Sequence, residues 1–303
     1  MLVASPEVFS ISADNSAAMI AATRKRVWWM IVPALVLLVG FLVLPYASIV
    51  VMSLRTADTR AVYGEGFTLS HYAQIVTDPF IWGIVGRSLR MGLTVTVVTL
   101  LLGYPVAYHL ANLRSRWASM LYIFVISPLL VGMVVRTFAW MIILSNNGVI
   151  NGALKSLGLI ERPILLLNTP LGVTIALIHV FLPFVILPLL GNLQAISPDL
   201  AAAGRSLGAS RLRTFVKVTL PLSLPGIQAG AILVFVLSIS AYVTPAMLGG
   251  TRGRTMSVLV VQYLVDSFRW PAGAALAIFM SAITLAIIVV YLRLTARAMR
   301  RLP

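Results

Sequence analysis

The chain reads as an all-α, polytopic membrane protein with six transmembrane helices and a short cytoplasmic helix between spans four and five. Three observations predict this. Hydrophobic residues fill 60% of the 303 positions and charged residues only 10%, which excludes both an ordinary soluble domain and a disordered chain. The charges gather in short clusters, leaving long uncharged stretches that can each supply the roughly 20 apolar residues of a bilayer-crossing helix. Alternate clusters are strongly basic, as expected where loops face the cytoplasm.

Taken in order, residues 1–26 are Ser- and Ala-rich without clear periodicity and are expected as a loosely ordered cytoplasmic tail. A transmembrane domain follows over 27–303, with its core at about 84–293. The first span lies in Val27–Leu54, whose 28 uncharged residues exceed the roughly 7–15 of a signal-peptide core and so predict a retained anchor. Met91–Leu113 holds the second. The third starts at Trp117 and is expected to run past Val135 and Arg136 to Leu144. Pro163–Pro198 exceeds one crossing and resolves into a surface approach plus a helix near Leu171–Leu190. Likewise Val218–Thr251 reduces to about Pro225–Met247, and Trp270–Leu292 is the last span. Pro105, Pro128, Pro183, Pro188 and Pro245 are expected to kink these helices.

Orientation follows from Lys and Arg near the span ends. Arg24, Lys25, Arg26, Arg114, Arg116, Arg205, Arg211, Arg213, Lys217, Arg293, Arg297, Arg300 and Arg301 all fall on one side, whereas on the other Asp58, Glu65, Asp78, Glu161 and Asp266 offset half of the basic residues. Both termini are therefore placed in the cytoplasm. The net charge of +15 is explained as topology signalling against the lipid bilayer, and no nucleic acid is needed as a partner.

Between spans four and five, Ser197-Pro198-Asp199-Leu200-Ala201-Ala202-Ala203-Gly204-Arg205-Ser206-Leu207-Gly208 predicts a short capped helix. Ser197 can cap it, Pro198 suits the first position, Asp199 complements the positive end of the dipole, and Gly208 can take the left-handed turn that ends it. A bland alternative is a GxxxG helix contact through Gly204 and Gly208. The basic residues from Arg205 to Lys217 stand against it, because central Lys or Arg costs several kcal/mol in hydrocarbon.

This pattern resembles the cytoplasmic loop of binding-protein-dependent ABC importer permeases of type I, MetI-like, whose motif reads E-A-A, three residues, G, nine residues, I-x-L-P. Ala202-Ala203-Gly204, Gly208, Val218 and Leu220-Pro221 occupy those positions with the spacing intact, although Ala202 replaces the glutamate and Gly204 the second alanine. Phe67-Thr68-Leu69-Ser70-His71-Tyr72 with Asp78-Pro79-Phe80 resembles the segment before the second span in the spermidine/putrescine-type branch. Arg136-Thr137-Phe138-Ala139-Trp140 with Asn147-Gly148-Val149-Ile150-Asn151, and Tyr242-Val243-Thr244-Pro245-Ala246-Met247-Leu248-Gly249-Gly250, resemble the third-span exit and the fifth-span exit of that branch.

The resemblance implies a bacterial inner-membrane permease subunit that passes a small solute, a polyamine or related organic compound, from a periplasmic solute-binding protein to the cytoplasm. It also implies two copies of an ATPase subunit that carry ATP and Mg, no cofactor on this chain, and a second permease. The missing glutamate points to a non-identical partner that retains it. Ser197 to Gly208, with Leu220 and Pro221, become the ATPase-coupling loop. The alternatives are the same architecture importing an opine, amino acid or organic anion, or an ion-coupled secondary transporter.

Other chemistry has little footing in the residues. There is no cysteine, and no G-x-x-x-x-G-K-[ST] loop exists to cradle ATP phosphates, so the chain is read as no enzyme. His71, His109 and His179 lack a second ligand at helical spacing, which leaves no metal site. Arg136 is the one strong candidate for a functional ionisable residue within a span, either in the pathway or snorkelling to the interface beside Trp140. Tyr242 and Thr244 are open to either a gate or simple packing. No Asp or Glu falls in a core span. On the polyamine reading the partner permease must contribute one.

Overall fold

The structure, a computed structural model, describes residues 7–58, 61–113 and 116–299. Residues 1–6 of the expected tail, and Arg114, Arg300 and Arg301 of the basic clusters, lie outside them. The chain divides into two compact units, residues 1–52 and 53–303.

Helix α1, Glu7–Ser53, makes up the first unit and is already helical where composition suggested a loosely ordered tail. Residues 7–32 contain neither Gly nor Pro and five alanines, the strongest helix former, so nothing in them stops the helix. Its stretch Ile31–Ser53 is apolar enough to cross a bilayer.

In the second unit, α2 (Ser70–Thr77) leads into α3 (Pro79–Asn112). Asp78 caps α3, its side chain accepting from the Phe80 N–H at 2.8 Å, with Pro79 at the first helical position. The second span thus opens at Pro79, not Met91. Counting uncharged residues ended the run at Arg90, but a helix tolerates charges that face a cavity. The expected third span is broken at Val131-Gly132 into α4 (Arg116–Leu130) and α5 (Met133–Leu144), and α6 (Val149–Ser156) follows. Pro128 and Gly132, four positions apart, weaken a continuous hydrogen-bond ladder there.

Helix α7 (Pro170–Gln194) is the central element, capped by Thr169, whose hydroxyl accepts from the Gly172 N–H at 3.2 Å. It packs on α3 and on α11 (Leu224–Ser240). Glycines set the closeness of these crossings. A Cβ at Gly103 would come 3.0 Å from Val185 Cγ1, and one at Gly226 would come 2.8 Å from Asn192 Cβ. Between α7 and α11 the chain forms α8 (Pro198–Ser206), α9 (Arg211–Thr214), a π-helical turn at Phe215–Thr219 and α10 (Leu220–Leu222). Arg211–Leu222 and Leu224–Ser240 meet at a 60° bend.

The fifth span was expected to reach Met247, yet α11 ends at Ser240 and α12 (Val243–Leu248) is separate. Pro245 explains the break, since its ring opposes the carbonyl four residues back in a continuous helix. Helix α13 (Met256–Val261), a second π-helical turn at Gln262–Asp266 and α14 (Trp270–Met299) complete the fold. Among the described residues, five helices are long and apolar enough to cross a membrane, and the bent pair makes a sixth if counted as one span.

The largest buried cluster joins α3, α5, α7, α11 and α12 through Val95, Leu144, Val173, Leu177, Val185, Val234 and Leu248. A second joins α2, α3, α13 and α14 around Ile84, Val85, Met256 and Leu276, and a third seats the far end of α3 on α7 through Ala107, Ile186 and Leu189. The first and third of these clusters pack α3 against α7.

Candidate functional site

The loop expected from Ser197 to Gly208 forms as its residues dictate. Ser197 stands at the N-cap, its Oγ accepting from the Asp199 N–H at 3.3 Å, with Pro198 at the first helical position and Asp199 in the first turn. Gly208 adopts φ +83°. Its N–H donates to the Arg205 carbonyl at 2.9 Å and the Ala209 N–H to the Gly204 carbonyl at 3.1 Å, which is the Schellman pairing that closes a helix C-terminus.

Nine residues of α8 make a peg of about 14 Å. None of its residues is buried. Leu207 is 89% and Leu212 73% exposed, with Leu200 and Val216 also open, while Arg205, Arg211 and Arg213 surround them. A short helix with no buried face gains little from this chain's own core. The GxxxG alternative finds no support, because nothing lies within 4 Å of a Cβ at Gly208 and Gly204 meets only the Thr214 side chain at 3.5 Å.

Behind the peg, the π-helical turn presents Phe215 edge-on to Tyr104 and Tyr108, at centroid distances of 5.8 and 5.4 Å. Leu220-Pro221 open α10, and the buried Ser223 donates to the Leu220 carbonyl at 2.8 Å while meeting the Tyr104 hydroxyl at 3.0 Å. The loop is therefore tied to α3.

Arg136 is part-buried on α5, and its guanidinium donates to the Pro128 carbonyl across the break. That carbonyl is one of the last four of α4 and has no helical partner, so Arg136 caps α4 and complements the negative end of its dipole. This is a third role, beside the pathway and snorkelling roles weighed from sequence. One residue on, the buried Thr137 hydroxyl lies 3.4 Å from that of Thr244, also buried, joining α5 to α12. Tyr242, just before α12, is 41% exposed. Trp140 donates to His179 Nδ1 at 3.4 Å, and no group of three or more His, Asp or Glu among the described residues could hold a metal.

Sequence reasoning missed a second feature. Arg87 and Arg90 of α3, Thr169 and Thr174 at the start of α7, and Arg252 and Arg254 of the α12–α13 loop line one cleft of about 570 Å³. The signal was present in Asp78-Pro79, a helix start that places both α3 arginines inside the helix and not in the loop before it.

Residues 15–301 match the family model described as binding-protein-dependent transport system inner membrane component. The chain is 34% identical over 265 residues to the spermidine/putrescine transport system permease protein PotB of Escherichia coli, covering 87% of this chain and 96% of that one. PotB of Haemophilus influenzae is 30% identical over 256 residues, covering 84% and 89%. Among solved structures, a bacterial ABC transporter involved in the import of the acidic polysaccharide alginate superposes with a TM-score of 0.69 at 18% identity, over 92% of this chain and 99% of the other. The capped loop, the helical bundle and the match over nearly its whole length together place this chain in the family of binding-protein-dependent transport system inner membrane components.

Proposed function

We propose that this chain is the membrane-spanning permease subunit of an ATP-driven importer, working with a separate ATPase and an extracytoplasmic binding protein. The observation that carries the reading is α8, a capped peg with no buried residue of its own and an exposed apolar tip at Leu207. A helix built this way suits a groove on a partner. The basic residues of the α8 end orient it, with both termini, to the cytoplasm. The bent pair then counts as the fifth of six spans.

On this reading two ATPase copies bind ATP and Mg, and a second, non-identical permease completes the pore and supplies the glutamate that Ala202 replaces. Arg136, Tyr242 and Thr244 line or support the pathway near the α5–α12 contact. A polyamine or related small organic compound is the first solute class, by likeness to the PotB proteins. The other solutes, an opine, amino acid or organic anion, are not favoured by these relatives. The test is copurification of this chain with an ATPase and solute-stimulated hydrolysis by the reconstituted complex. ATP hydrolysis by this chain alone would overturn the assignment.

A further inference from the structure

We propose that the cleft lined by Arg87, Arg90, Arg252 and Arg254 is a binding site for the acidic group, carboxylate or phosphate-like, of a small organic solute. The inference rests on the importer reading and adds to it a site for an acidic group, without replacing the polyamine class.

The chemistry of the lining carries it. A guanidinium keeps its charge at every physiological pH and meets a carboxylate or phosphate in a two-pronged geometry. Four of them share this cleft, no acidic residue lines it, and none makes a side-chain hydrogen bond or ion pair with a described residue. Arg87 and Arg90 are the ninth and twelfth residues of α3, which puts them about 12–17 Å along the helix from Pro79, both of them exposed. Charges that far along a spanning helix face water or a ligand and mark a path. The N-terminal end of α7, at Thr169 and Pro170, adds the positive pole of its dipole to the same wall.

The site is also built in advance of any ligand. Ser88, wholly buried between the two α3 arginines, accepts from the Met256 N–H at 2.8 Å while donating to the Ile84 carbonyl at 2.9 Å. That bond pins the start of α13, and with it Arg254, against α3. The preceding turn is closed by the Gly253 N–H donating to the Gly249 carbonyl at 2.7 Å, where a Cβ at Gly253 would lie 2.5 Å from Gly249 Cα. The arginines are thus held on fixed backbone from segments more than 160 residues apart, as Ser88 and Met256 are.

Size and sign choose the ligand. A volume of about 570 Å³ falls in the range of small-molecule sites, roughly 300–1,000 Å³, and is too narrow for a folded domain. A polycation gains nothing from four fixed positive charges. An acid does, and an amine elsewhere on the molecule is compatible.

Phenylglyoxal modification, read by mass spectrometry on the full complex in neutral-lipid nanodiscs, tests this with succinate, inorganic phosphate and putrescine at equal ionic strength. Protection follows 1 + [L]/Kd, so anion at about four times Kd should slow modification of the cleft arginines about five-fold. Exposed Arg205 on α8 should be unchanged. Ser88→Ala, which releases the start of α13, should reduce the protection. Absence of protection by both anions, equal protection at Arg205, or protection by putrescine would overturn the proposal. So would protection that appears only in phosphatidylglycerol discs without added anion, which assigns the arginines to lipid headgroups. ATPase coupling measured on the same complex reports on the importer reading separately.

Discussion

Replacing Gly208 by Ala perturbs the α8 loop through its backbone alone. The residue sits at φ +83°, and nothing lies within 4 Å of an added Cβ, so no collision within this chain accompanies the change. What remains is the cost of the left-handed conformation, about 1–2 kcal/mol for a residue with a Cβ. That corresponds to roughly a 5–30-fold shift toward loops that have lost the Gly208 and Ala209 closing bonds. ATPase affinity should fall by about the same factor, because only the closed peg is ready to dock. Gly208→Asn should recover much of the loss, since Asn visits this conformation cheaply. Gly208→Leu carries the same backbone cost as Ala, and any further loss measures bulk against the docked ATPase. The assay is pull-down of the ATPase across a concentration series, followed by solute-stimulated hydrolysis in liposomes. Full affinity and stimulation in Gly208→Ala, or an Asn variant no better than Ala, would refute the coupling role of this turn.

Four other changes test neighbouring parts of the argument. Ala202 is exposed on α8, so Ala202→Glu should leave thermal stability within about 0.5 kcal/mol and retain ATPase binding in the same pull-down. Arg136→Ala removes the charged hydrogen bond to Pro128 and should cost about 1.5–3 kcal/mol in the melting of the purified complex, with reduced uptake. Arg136→Lys, which can still donate, should lose less, and equal losses would remove the capping role. Gly226→Ala places a Cβ 2.8 Å from Asn192 Cβ and should destabilise by about 1–3 kcal/mol, whereas Gly83→Ala, with nothing within 4 Å, should not. Asn151→Ala leaves the Ile164 N–H and the Ser145 and Ile164 carbonyls without its amide, and hydrogen exchange in α6 and residues 160–166 should rise by an order of magnitude or more.

What the sequence by itself determined is whatever depends on a few neighbouring positions or on composition. The bilayer spans follow from uncharged length, and α7 and α14 begin within a residue of the starts expected at Leu171 and Trp270. The peg was legible to its caps, because the Ser197 and Gly208 interactions are completed within three residues of each. Where the start of α3 was misread, the cause was the rule itself, which counts an arginine against a span without knowing what it faces. The joining of remote residues belonged to the tertiary structure. Arg87 and Arg90 share a cleft with Arg252 and Arg254 only because α3 packs beside α13, and the Ser88 to Met256 bond that sets their spacing has no trace in either local segment. Thr137 meets Thr244 across 107 residues for the same reason. Local capping is decided by the backbone's own unsatisfied groups, whereas a constellation of charges is decided by which helices pack together, and that choice rests on small residues at the crossings and on the shape of the whole buried core.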